Sequence, residues 1–68
     1  MTKSEVNDLR RRADKLFMDI SNALIAARGS AGESVETLHL LTQAKRSAWE
    51  SVVSVRRISA SKEVSNGA

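Results

Sequence analysis

The amino-acid sequence predicts an all-α fold, a two-helix antiparallel hairpin that dimerises into a four-helix bundle. Three observations lead there. Apolar residues recur at helical spacing from Val6 to Ala27 and again from Val35 to Ile58. The pattern breaks once, at Arg28-Gly29-Ser30-Ala31-Gly32, and the chain contains no proline. The second helix is apolar over a wider arc than one neighbouring helix covers.

The first helix is expected over about residues 3–28. Thr2-Lys3-Ser4-Glu5 has the form of a capping box: the Thr hydroxyl accepts from the amide three residues on, and Glu5 reaches back to the cap amide. At about 100° per residue, Leu9, Ala13, Leu16, Ile20, Leu24 and Ala27 share one face. Val6, Phe17 and Ala23 flank it. Gly29 is expected as a left-handed residue closing the helix, because glycine adopts that conformation without a Cβ clash. A loop of about five residues suits antiparallel neighbours.

The second helix is expected over about residues 33–60, capped by Ser30 or Ser34, with Glu33 and Glu36 at its positive end. Leu38, Leu41, Ala48, Val52 and Val55 form its stripe. Trp49 and Val53 widen one flank, and Leu40, Ala44 and Ile58 the other. Val52, Val53 and Val55 are β-branched, so a strand is the competing reading. The helical spacing on either side favours a helix. The hairpin domain spans 1–60, and the small, polar segment 61–68 reads as a disordered tail.

A chain of 68 residues makes one domain near the lower limit of independent folding. Such chains need a staple. With no cysteine and one histidine, neither a disulfide nor a structural zinc site supplies it. Self-association remains, and the simplest form is a C₂ dimer. Its core or interface is expected to hold Leu16, Ile20, Leu24, Leu38, Leu41, Ala48, Trp49, Val52 and Val55. No apolar run is long enough to span a membrane, and no signal-peptide core is visible. A cytoplasmic location is expected.

Composition and motifs point away from catalysis. His39 lies on the polar face of the second helix without a nucleophile beside it, so it reads as a solvated histidine. Gly29-Ser30-Ala31-Gly32 lacks the lysine of a phosphate-binding loop. No cofactor and no small-molecule substrate is expected. Binding is the better reading. Arg10, Arg11 and Arg12 form the densest charge run, and Arg56 and Arg57 lie towards the same end of a hairpin. They read as a solvated face, a site for an acidic protein surface, or a nucleic-acid site. Net charge is only +3, modest for a nucleic-acid binder. Met18 and Ile25 lie opposite the main stripe and suggest a second contact surface. Trp49 reads as core or dimer interface, with an anchor in a partner's pocket as the alternative.

In size and layout the whole chain resembles the small helical-hairpin accessory proteins of bacteriophages, several of which dimerise and bind host regulators or defence machinery. The resemblance implies an inhibitor or modulator of a host protein such as a transcriptional regulator. It carries no functional residue across. From the residues and the resemblance together, the expected function is non-enzymatic binding of a protein partner by a dimer. A small basic nucleic-acid-binding module is the alternative.

Overall fold

The computed structural model describes residues 1–61. Helix α1 runs Lys3–Arg28 and helix α2 runs Val35–Ala60. They fold back on each other in an antiparallel register in which Phe17 meets Trp49 and Asp14 meets Arg56. The molecule is long and thin, 52 × 14 × 11 Å. The valines at 52, 53 and 55 lie inside α2 and form no strand. Of the expected tail at 61–68, only Ser61 is described; it closes α2 in an extended conformation.

Local chemistry accounts for the helix ends. The Glu5 amide donates to the Thr2 hydroxyl and the Thr2 amide donates to the Glu5 carboxylate, each at 3.1 Å. This completes the capping box and satisfies two amides that a helix leaves orphaned. The same hydrogen bonds hold the Glu5 carboxyl below its ordinary pKa, with the backbone bond to Thr2 the larger cause.

Helix α2 begins two residues later than the sequence suggested. Ser34 is the cap: its hydroxyl accepts from the Thr37 amide at 3.1 Å and donates to the Thr37 hydroxyl at 2.8 Å. Glu33 therefore lies before the cap, outside the helix, while Glu36 sits in the first turn. The helix starts where a side chain can satisfy its free amides, which Glu33 cannot do from outside.

Gly29 departs from expectation. Its φ is −81° and its ψ is −5°, an ordinary right-handed conformation. The Ser30 amide bonds back to the Ala27 carbonyl at 3.1 Å, so the last turn tightens and no left-handed residue is required. The Gly29 amide itself donates to the Ile25 carbonyl at 3.2 Å.

One seam joins the helices. Val6, Leu24 and Ala27 from α1 and Ala48, Val52 and Val55 from α2 are buried there. Ile20, Leu38 and Leu41 are half-buried. Leu16 is not part of this core, with 53% of its surface exposed. The reason is its place round the helix. Leu16 and Ala23 lie about 80–100° from the buried Val6 and Leu24 at 100° per residue, on the edge of α1 that α2 does not cover.

Two outcomes follow for stability. A Cβ on Gly29 would make only ordinary contacts, at 3.6 and 3.8 Å. Gly29→Ala should therefore raise stability by about 0.4–1 kcal/mol through the unfolded chain's lost freedom. Chemical denaturation checks this, and a loss of similar size would mean the residue is left-handed after all. Because the folded pKa of Glu5 lies below its unfolded value, the contribution of its carboxylate is complete above the unfolded pKa. It is lost as pH falls through the folded one. The gap in melting temperature between the wild type and Glu5→Gln should be open at neutral pH and close on acidification.

Candidate protein-binding face

The two broad faces of the hairpin differ in chemistry. On one, a ladder of side chains crosses between the helices. The rings of Phe17 and Trp49 lie 5.2 Å apart and tilted by 52°. The Lys45 ammonium sits 5.9 Å from the Phe17 ring centre, and the Arg56 guanidinium 5.7 Å from that of Trp49. Arg56 also reaches Asp14, with Nη2 3.8 Å from Oδ1. That distance is an ion pair and not a hydrogen bond, so this oxygen, though shielded from solvent, has no hydrogen-bond partner.

Helical spacing builds the ladder. Phe17 borders the seam on α1, with Asp14 one turn back on its outer side. Lys45, Trp49 and Arg56 recur at four and seven residues along α2, on the flank beside them. Antiparallel packing then sets the outer sides of Phe17 and Trp49 together. Trp49 keeps 45% of its surface in solvent. A large aromatic held from below, with cations around it, is the usual composition of an interface anchor.

Met18 and Ile25 border the same face at the outer edge of α1, 55% and 67% exposed. At about 100° per residue they lie on the Phe17 side of the helix, near the level of Trp49 and Leu38 respectively. Three exposed apolar side chains and two cations thus share one face.

The arginines do not gather as one cluster. Arg10, Arg11 and Arg12 point about 100° apart in turn. Arg12 pairs with Asp8 at 2.9 Å on the exposed side of α1. Arg56 is engaged by Asp14 and Trp49, whereas Arg57 projects from the far side of α2. Arg10 and Arg11 line an open depression with Asn7 and Asp14. His39 is exposed, and its Nε2 lies 3.2 Å from the Gln43 side-chain amide nitrogen. Among the described residues, no group of three histidine, cysteine or acidic side chains is placed to hold a metal ion. No described helix is long and apolar enough to cross a membrane.

The parts of the ladder that sequence reasoning missed are Phe17, Lys45 and Asp14. The signal for them was present: Asp14 and Phe17 are one turn apart, as are Lys45 and Trp49. Only the register between the helices joins the two sets.

A long helical hairpin with one aromatic, cationic face is the class of protein that this geometry defines. No protein-family model matches the chain, no curated protein matches its sequence, and no solved structure matches its fold.

Proposed function

We propose that this chain is a non-enzymatic, protein-binding modulator, a self-associating helical hairpin that grips a partner through its aromatic face. The observation that carries the reading is Trp49, half exposed, seated on Phe17 and flanked by Lys45 and Arg56. Tryptophan, arginine and methionine are the residues enriched where binding energy concentrates in protein interfaces. The cations suit a partner surface that carries carboxylates around an apolar pocket. The architecture's resemblance to phage accessory proteins makes a host transcriptional regulator the favoured partner, with a cytoplasmic site of action. Cofactors and small-molecule substrates have no part in this reading.

The nucleic-acid alternative rests on Arg10, Arg11, Arg12, Arg56 and Arg57. Two of them are already engaged by carboxylates and the rest diverge, so they offer no continuous track for a phosphate backbone.

Affinity capture from the native host, with the bound proteins identified by mass spectrometry, tests the reading. Met18→Glu and Lys45→Glu should each weaken capture of the wild-type partner at least about tenfold while the helical content stays unchanged, as expected for anchor contacts. Capture should survive a rise from about 50 to 200 mM salt, over which multi-phosphate binding loses orders of magnitude. Undiminished capture by both variants would remove this face from the function, and recovery of nucleic acid with steep salt loss would establish the alternative.

A further inference from the structure

Charge is divided unevenly between the two broad faces of the hairpin. At about 100° per residue, Lys3, Arg10 and Arg28 lie on the flank of α1 that carries Phe17 and Asp14. Arg10 and Asp14 line the same depression. Lys45 and Arg56 lie on the flank of α2 that carries Trp49, over the two rings, and Arg46 borders it. Of the carboxylates in the two helices, Asp14 alone is on this face, and Arg56 engages it. Glu5, Asp8 and Asp19 of α1 and Glu36 and Glu50 of α2 turn away from it. The positive balance of the helices is therefore gathered on the aromatic face.

The cations are ordered along the hairpin. The Phe17–Trp49 ring pair sets the level. Arg10 and Arg56 each lie seven residues from it towards the open end, about 10 Å away at 1.5 Å per residue. Towards the turn, Lys45 lies about 6 Å from it, Ile25 about 12 Å and Arg28 about 16 Å. Met18 is level with the rings. Exposed apolar side chains thus form a strip about 12 Å long, with cations beside it and at both ends. From Arg10 to Arg28 the row covers about 27 Å, the length of a five-turn helix.

We propose that the occupant of this face is an acidic amphipathic helix of the partner protein, laid along the hairpin. The proposal deepens the protein-binding reading above and rests on it. A helix anchored at i, i+4 and i+7 presents apolar side chains over about 10 Å, which matches the strip of Trp49, Met18 and Ile25. Carboxylates on its flanks then meet Arg10 and Arg56 at one end and Lys45 and Arg28 at the other, so the potentials of the two surfaces are complementary. Other anionic occupants fit less of the face. A phosphate backbone satisfies the cations but leaves Met18 and Ile25, 55% and 67% exposed, in water. A bilayer that takes up Trp49 must also take up Lys45, Arg56 and Asp14 from the middle of the face, and charge is costly there.

Trp49 is the chain's one tryptophan, so its fluorescence reports occupancy directly. The probe is a synthetic 18-residue peptide without tryptophan, with leucines at i, i+4 and i+7 and glutamates on the flanks. The full chain titrated with it should show a saturable blue shift of Trp49 emission. The same peptide with lysine for glutamate, or with its leucines scrambled off one face, should give none. Lys45→Glu and Arg10→Glu should each weaken peptide binding at least about tenfold. Lys15→Glu makes the same charge change on the outer side of α1 and should weaken it less than about twofold, since distant charges are screened. Equal losses in all three variants, or equal binding of the scrambled peptide, would reduce the effect to bulk charge and overturn the proposal. Absence of peptide binding would overturn it too; if Met18→Glu still loses the captured partner, the protein-binding reading stands with a different partner surface. A Trp49 shift with phosphatidylserine vesicles or duplex DNA, and none with the peptide, would overturn both.

Discussion

A helix packed on a single neighbour shields one sector of its circumference, and the rest must face water or something else. In a hairpin of two helices this constraint governs everything. The seam buries only Val6, Leu24, Ala27, Ala48, Val52 and Val55, and two of these six are alanines. Small residues bring the helix backbones close but remove little apolar surface from water. Larger side chains, Leu16, Leu40, Ile25, Met18 and Trp49 among them, are left outside the seam. Their distribution over the two faces, more than the seam itself, distinguishes this molecule.

That distribution is asymmetric. One face presents Leu9, Leu16, Ala23, Leu40 and Ile58, with Ser47 and Ser51 among them. The other gathers Phe17, Trp49, Lys45 and Arg56 into a ladder with Asp14 at its end. The Asp14–Arg56 pair is about half exposed on both sides, so it adds little stability. Its effect is to hold the guanidinium over the indole ring and keep Trp49 presented. Under the proposed function the second face grips a partner.

The sequence made the helices legible because their ends are written in local chemistry. Thr2 and Glu5 mark the start of α1 and Ser34 marks the start of α2, and both caps act through neighbours within three residues. The close of α1 was misread at Gly29, because a tight turn through Ser30 and Ala27 satisfies the same carbonyls as a left-handed glycine. The site was half legible. Trp49, Met18 and Ile25 stand out on a helical wheel. Phe17, Lys45 and Asp14 acquire meaning only through the register between helices, which no single-helix periodicity contains. The same limit explains Leu16. Periodicity grouped Leu16 with Leu24 and Ala27 on one face, but it did not say which part of that face α2 covers. The arginines were the least legible, since a run of three looks dense in one dimension and diverges around a helix in three.

The central claim is that the hairpin is one half of a folded unit. Thermal unfolding, followed by far-ultraviolet circular dichroism over about a hundredfold range of protein concentration, tests it most directly. Coupled folding and dimerisation makes the midpoint climb steadily with concentration, since mass action favours the assembled state. A fully helical chain whose midpoint is the same at every concentration would contradict the claim.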